Sequence, residues 1–97
     1  MFDDQTKELA YKHSIHHRDE LIASEKCGCF YCCSIFNVNE IIVWTDKKDT
    51  AICPHCEVDS VIGSASGFPI TQEFLKEMQQ HYFGHLVKNK LHPPEKI

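Results

Sequence analysis

The chain has 97 residues, six of them cysteines, and a formal net charge of −4 with histidine neutral. This length corresponds to one small domain whose apolar core alone gives marginal stability, so we expect a disulfide, a metal or a partner chain to stabilise it. The negative charge and the absence of an extended Lys/Arg cluster disfavour nucleic acid as a partner. The longest apolar run, Ile41-Ile42-Val43-Trp44, is far too short to span a membrane.

The amino-terminal residues 1–8 are polar and acidic and lack the apolar stretch of a secretory signal, so we expect a cytoplasmic protein. In a reducing cytosol, closely spaced cysteines are more often metal ligands or catalytic thiols than structural disulfides. The cysteines therefore favour metal binding or redox chemistry over a disulfide framework.

In chain order, the first predicted element is an amino-terminal helical segment over residues 4–25. Residues 4–13 form one helix, and residues 17–25 form its continuation or a second helix. The cysteine-dense residues 27–33 are too few for regular structure, and we predict none there.

The middle of the chain predicts a β-hairpin. Residues 42–45 and 50–52 are rich in β-branched side chains and flank a polar turn. The following residues, 53–62, are predicted to form a short helix that ends at Gly63, because glycine is favoured just past a helix end.

The last predicted element is a helix over about residues 71–90. Thr71 is a suitable N-cap, and the helix either ends at Gly84 or continues to Lys90. Apolar side chains recur along it every three or four residues, which favours a core-facing stripe over a binding surface. The stripe consists of Phe74, Leu75, Met78, Tyr82 and Phe83.

Two Cys-x2-Cys pairs carry the chemistry of the sequence. They are Cys29/Cys32 and Cys53/Cys56, and twenty residues separate them. Two residues between thiolates let one tight turn direct both sulfurs at a metal, and a distant second pair completes a tetrahedron. Four soft ligands without an open position predict one structural Zn²⁺.

The other two cysteines leave an alternative open. Cys27 could replace Cys29 in a looser loop, and Cys33 directly follows the first pair. Only Cys29 and Cys32 have the two-residue spacing in that cluster, so we predict that Cys27 and Cys33 are buried apolar thiols.

The order of cysteine knuckle, hairpin and second cysteine pair resembles the treble-clef zinc finger over residues 29–62. One departure is Cys33, where such knuckles more often have glycine. Over residues 17–83 the chain also resembles a family of small bacterial proteins described only as cytoplasmic. That resemblance implies a metal-binding bacterial protein and no reaction. Its segments are Cys27-Gly28-Cys29-Phe30-Tyr31-Cys32, Ala51-Ile52-Cys53-Pro54-His55-Cys56, Asp59-Ser60-Val61-Ile62-Gly63 and Gly67-Phe68-Pro69-Ile70-Thr71.

Catalytic alternatives fit the sequence less well. The tetrapeptide Cys53-Pro54-His55-Cys56 resembles the active site of oxidising thioredoxin relatives, but the long helix and βαβ unit of those enzymes have no room here. An HNH nuclease needs a histidine where Thr45 and Asp46 stand. A zinc deaminase needs H-x-E, and His17-Arg18-Asp19 lacks the glutamate.

Histidines are numerous, and their roles stay open at this point. A pair four residues apart on a helix, such as His81 and His85, can share a metal, although no third ligand is near in sequence. Solvated surface positions are the better expectation for the histidines. His13, His16 and His17 cluster near the start of the chain. Of this region, His16, His17 and Arg18 could instead lie against the zinc site or line a pocket.

Together these features predict a single α+β domain over residues 1–97. Its zinc-binding core over about 27–63 has a treble-clef-like order of knuckle, hairpin and helix, flanked by the amino- and carboxy-terminal helices. We expect a non-catalytic module that binds a protein partner or a second copy of itself. The alternative is a thiol redox or hydrolytic enzyme that uses the Cys53/Cys56 pair or the amino-terminal histidines.

Overall fold

The computed structural model describes residues 2–89, with side chains described as far as residue 84. Three α-helices lie in this range: α1 (Asp4–Lys12), α2 (Arg18–Ile22) and α3 (Gln72–Asn89). The first and last agree with the predicted helices, and α3 continues through Gly84. The second is shorter than predicted. The predicted end at Lys90 lies outside the described residues.

Side-chain caps fix where the two longer helices begin. The Asp3 carboxylate accepts a hydrogen bond from the Thr6 N–H at 2.8 Å at the start of α1. The Thr71 hydroxyl accepts one from the Phe74 N–H at 3.1 Å at the start of α3, as its predicted N-cap role requires. None of the helices described over residues 2–89 has the length and apolar character that a bilayer crossing needs.

Within residues 2–89, five short strands form two antiparallel sheets. The larger sheet has the order β2 (Ile35–Phe36), β1 (Cys27–Cys29), β5 (Val61–Gly63). The smaller one pairs β3 (Trp44–Thr45) with β4 (Thr50–Ala51), which confirms the predicted hairpin. The described residues therefore form a small α+β structure.

Two local predictions are wrong. Residues 27–33 contain regular structure, because β1 is the central strand of the larger sheet. Residues 53–62 form a tight turn followed by β5 instead of a helix. The fully buried, β-branched Val61 and Ile62 pair with β1, and this pairing outweighs the local helix signal. Because β5 follows the second cysteine pair in place of the predicted short helix, the treble-clef order is not confirmed.

Within the described residues, the apolar core has two parts, one on each side of β1, the strand that contains Cys27 and Cys29. The helix-side cluster contains the predicted stripe: Phe74, Leu75 and Met78 are fully buried, and Tyr82 and Phe83 pack against them. The strand-side cluster contains Cys29 and Cys53 among its buried residues, and the half-buried Trp44 packs against it. The candidate metal ligands are therefore part of the core.

Direct contact between α3 and β1 depends on Gly28. A Cβ at this position would lie 2.8 Å from Leu75 Cδ1 and 3.0 Å from Ile70 Cγ2. The absence of a side chain lets the helix pack onto the strand that carries Cys29. The Tyr82 hydroxyl also donates to the Lys7 carbonyl at 3.2 Å, which joins α3 to α1.

Candidate metal centre

The first cysteine pair lies in a turn between β1 and β2, residues 29–34, which we call the first knuckle. The Cys29 N–H donates to the Ser34 carbonyl at 3.0 Å, and the Cys33 N–H donates to the Cys29 carbonyl at 2.7 Å. The Tyr31 N–H donates to Cys29 Sγ at 3.3 Å. These bonds hold the turn closed and direct a backbone donor at a sulfur.

The second pair lies in the second knuckle, residues 53–58, which makes the same three contacts. The Cys53 N–H donates to the Val58 carbonyl at 3.0 Å, and the Glu57 N–H donates to the Cys53 carbonyl at 3.0 Å. The His55 N–H donates to Cys53 Sγ at 3.3 Å. Two segments distant in sequence therefore have the same local structure.

Each knuckle has a residue in the left-handed region directly before its last residue. Cys33 has φ 64° and Glu57 has φ 68°, each directly after the second cysteine of its pair. Glycine adopts this conformation without a Cβ penalty, which is why Cys33 stood out in the sequence as a departure from the usual knuckle. The left-handed φ of Cys33 fixes the register of the first knuckle with Cys29 and Cys32 as its pair.

The two knuckles bring the four predicted cysteines together. Their sulfur atoms all lie within 4.8 Å of one another. Cys29 Sγ is 3.6 Å from Cys56 Sγ, and Cys32 Sγ is 3.8 Å from Cys53 Sγ. A tetrahedron with Zn–S bonds of about 2.3 Å has sulfur–sulfur edges of about 3.8 Å, whereas a disulfide is about 2.05 Å long. All six cysteines are free thiols, and the cluster has the dimensions of a tetrathiolate metal site.

Neither the protein-family models nor the curated proteins nor the solved structures give a significant match. The expected membership of a small bacterial family therefore stays a prediction, and the chemistry of the centre is derived from its own residues.

Cys27 and Cys33 lie outside the four-sulfur cluster. Cys27 is fully buried on β1, and burial raises the pKa of its thiol to about 11. Cys33 packs into the helix-side cluster; burial, and then the neighbouring Cys32, raise the pKa of its thiol. Both therefore have the buried, protonated character predicted for them.

Within the cluster, contacts between the sulfurs distribute the protons unequally. Hydrogen bonding with Cys29 lowers the pKa of Cys32 well below its usual range and that of Cys53 to about 6. The pKa of Cys29 is raised, chiefly by its contact with Cys32. At Cys56 the contact with Cys29 acts to lower the pKa, but those with Cys32 and Cys53 outweigh it and raise the pKa. These contacts therefore favour the thiolate form at Cys32 and Cys53 over that at Cys29 and Cys56. A coordinated metal deprotonates the thiols that bind it.

Neighbouring side chains support both knuckles. Ser34 Oγ lies 3.1 Å from Cys32 Sγ, within hydrogen-bonding distance of the first knuckle. At the second knuckle, His55 lies over Phe36 with ring centroids 5.5 Å apart, and its Nε2 is 3.4 Å from Glu40 Oε1. His55 is half exposed, in agreement with the surface position expected for the histidines.

The described histidine side chains lie outside the sulfur cluster. His13 contacts Glu20 at 2.9 Å, and His16 contacts Asp49 at 3.3 Å; both pairs are partly exposed. His81 lies 3.8 Å from Asp4. The side chain of His85, and with it the predicted option of a His81/His85 metal pair, lies outside the described part of the chain.

His17 differs from the surface positions expected for histidines, because it is only 4% exposed. Its Nδ1–H donates to the His13 carbonyl at 2.7 Å, and its Nε2 accepts from the Ala51 N–H at 3.0 Å. These partners fix the neutral tautomer, and burial lowers the pKa of the ring. His17 therefore joins the amino-terminal segment to β4, two residues before Cys53.

Proposed function

We propose that Cys29, Cys32, Cys53 and Cys56 hold one structural Zn²⁺ and that the chain is a non-catalytic protein-interaction module. The observation that carries the proposal is the set of four sulfurs within 4.8 Å, arranged by two knuckles with matching hydrogen bonds. Four thiolates select a thiophilic metal over a hard cation.

The donor set favours a structural role over catalysis. A catalytic zinc keeps one coordination position open for water or substrate, whereas four cysteines fill the tetrahedron. Both short sulfur contacts, Cys29 to Cys56 and Cys32 to Cys53, join different knuckles. This geometry suits a shared ion better than a redox disulfide within the Cys53/Cys56 pair.

A bound metal would also supply the additional stability that a chain of this length needs beyond its small apolar core. Zinc joins the two knuckles, and its binding free energy becomes folding free energy when the unfolded chain has no preformed site. A reducing, cytoplasmic setting suits this proposal, because it keeps the four cysteines available as metal ligands.

An exposed apolar patch beside the second knuckle supports the interaction role. Ile42 is 82% exposed and Val43 is 53% exposed, and both border a groove that reaches Cys53 and Pro54. Contiguous exposed apolar surface of this kind marks contact sites for other proteins.

Metal analysis combined with thiol titration tests the zinc proposal. We expect one zinc per wild-type chain, and four thiols that become reactive when a chelator removes the metal. Cys53→Ser should lose the metal. Cys27→Ala is the matched control, because it removes a cysteine outside the cluster and should retain one zinc per chain.

Two results would contradict the proposal. One is a native protein without metal that forms a reversible Cys53–Cys56 disulfide, which would support the redox alternative. The other is loss of zinc in Cys27→Ala with retention in Cys29→Ser, which would assign a different ligand set.

A further inference from the structure

The outer edge of β3 carries backbone groups that point away from the protein. The Ile52 N–H donates to the Val43 carbonyl at 3.0 Å, so Val43 and Ile52 form a hydrogen-bonded pair. The next pair, Trp44 with Ala51, is therefore a non-hydrogen-bonded pair. In such a pair the N–H and C=O of both residues point outward, to the two edges of the ladder.

The two edges of this ladder differ in whether their outward backbone groups have hydrogen-bond partners. On the β4 side, His17 Nε2 accepts the outward N–H of Ala51. On the β3 side, no described strand lies beside the outward edge, because the smaller sheet consists of β3 and β4. No loop or side chain within the described part of the chain forms a hydrogen bond with the N–H or C=O of Trp44. An unpaired strand edge of this kind is a template for another strand.

Two grooves border this edge, and their charges differ. One is lined by Arg18, Lys48 and Trp44, and the Arg18 guanidinium lies 4.5 Å from the centroid of the Trp44 ring. The other contains Pro54 and Glu57 and lies beside the second knuckle. The exposed Ile42 and Val43 line both grooves.

We propose that the occupant of this edge is a second copy of the same chain, with β3 pairing antiparallel to β3 across a two-fold axis. With Trp44 opposite Trp44 of the second copy, each Trp44 N–H donates to the other Trp44 carbonyl. One isologous contact thereby satisfies both outward groups on each side.

The charges of the grooves fit this arrangement. Antiparallel pairing places the start of one β3 beside the end of the other, so the Glu57 groove of each copy faces the Arg18/Lys48 groove of its neighbour. A bound zinc with four thiolates adds a charge of about −2 behind the Glu57 groove, which strengthens the complementarity. The exposed Ile42 and Val43 become covered on either side of the central Trp44 pair.

This inference rests on the proposed interaction role and deepens it by naming the partner. The contact is small, and we expect a weak dimer of the kind formed by interfaces below about 1,200 Å². Metal content reports on the zinc centre and the sedimentation coefficient reports on the contact, so failure of the two proposals can be told apart on the same samples.

Sedimentation velocity of the zinc-loaded full chain, from about 10 μM to about 1 mM, gives the first test, since weak complexes have dissociation constants in this range. We expect a concentration-dependent shift from monomer to dimer. Ile42→Lys, which places a charge on an exposed edge position, should abolish it. Leu9→Lys is the matched control, because Leu9 is 47% exposed on α1 and lines neither groove.

A charge exchange gives the second test. Lys48→Glu and Glu57→Lys each place like charges opposite one another twice in a symmetric contact, so each variant alone should dimerise about tenfold more weakly. Mixing the two variants pairs opposite charges at both positions and should restore dimerisation to within about threefold of wild type. The single tryptophan, Trp44, reports on the contact through its fluorescence in the same titrations.

Three outcomes overturn the proposal. A wild-type chain that stays monomeric at about 1 mM has no such contact. A dimer unaffected by Ile42→Lys uses another surface. A mixture of the two charge variants that dimerises no better than either alone excludes the antiparallel arrangement.

Discussion

Replacing His17 by alanine tests whether one buried side chain joins the amino-terminal segment to the smaller sheet. The substitution removes the acceptor of the Ala51 N–H and the donor to the His13 carbonyl. Ala51 is fully buried, so its unsatisfied N–H costs about 2 kcal/mol, and the half-buried His13 carbonyl adds about 1 kcal/mol. We expect the free energy of unfolding to fall by about 3 kcal/mol.

The same geometry gives the fold a pH dependence. Burial lowers the pKa of His17 below its ordinary value of 6.5, against the opposing effects of the His13 carbonyl and the Glu20 and Asp49 charges. Just below pH 6.5 the His17 ring is therefore protonated in the unfolded chain and still neutral in the folded chain. The contribution of neutral His17 is present above pH 6.5 and is lost as the pH falls through the folded pKa, by at most about 1.4 kcal/mol per pH unit.

Urea unfolding followed by Trp44 fluorescence, at saturating zinc and at several pH values from 5 to 8, measures both effects in one series. His17→Gln separates them, because a Gln amide oxygen can accept the Ala51 N–H and does not titrate in this range. The difference in stability between wild type and His17→Gln should therefore change between pH 7 and pH 5. The matched control is His16→Ala, whose side chain is 63% exposed and whose loss should change stability by no more than about 0.5 kcal/mol.

Equal urea midpoints for His17→Ala and His16→Ala would refute the assigned role of His17. Parallel pH curves for wild type and His17→Gln would refute its protonation behaviour.

Three further predictions concern backbone positions and use the same unfolding assay on dilute, zinc-loaded protein. Glu57→Gly should raise the free energy of unfolding by about 1 kcal/mol, because Glu57 has φ 68°, and Glu57→Ala should give no such gain. Gly28→Ala should lower it by about 1–3 kcal/mol, because the new Cβ would press on Leu75 and Ile70. Gly84→Ala, where a Cβ meets only the flexible Gln80 side chain within α3, should raise it by up to about 1 kcal/mol. Equal effects of Gly28→Ala and Gly84→Ala on the free energy of unfolding would contradict the close packing of α3 on β1.

Local signals in the sequence predicted the features that depend on local geometry. The two-residue spacing of each cysteine pair identified the four sulfurs that lie together, since a Cys-x2-Cys turn has few conformations. The hairpin at 42–52 and the helix from Thr71 also agree with the structure, because a polar turn and an N-cap act within a few residues.

Features that depend on distant partners could not be predicted in this way. Residues 53–62 have a plausible helix stop in Gly63, but β5 pairs with β1, which the chain reaches more than thirty residues earlier. His17 has the same difficulty, because Ala51 and the backbone of Asp49 are far away in sequence and nothing beside His17 signals burial. In both places tertiary contacts override a reasonable local prediction.

The burial of Cys27 has a kinetic consequence. Its thiol is fully buried and protonated in the native state, so a thiol reagent can modify it only when the core opens. The cluster thiols of a zinc-bound chain are instead protected until the ion leaves. The modification rate of Cys27 therefore measures how fast the core opens, and the modification rate of the cluster thiols measures how fast the metal is released. The ratio of the two modification rates tells whether ion and core are lost in one event or in sequence.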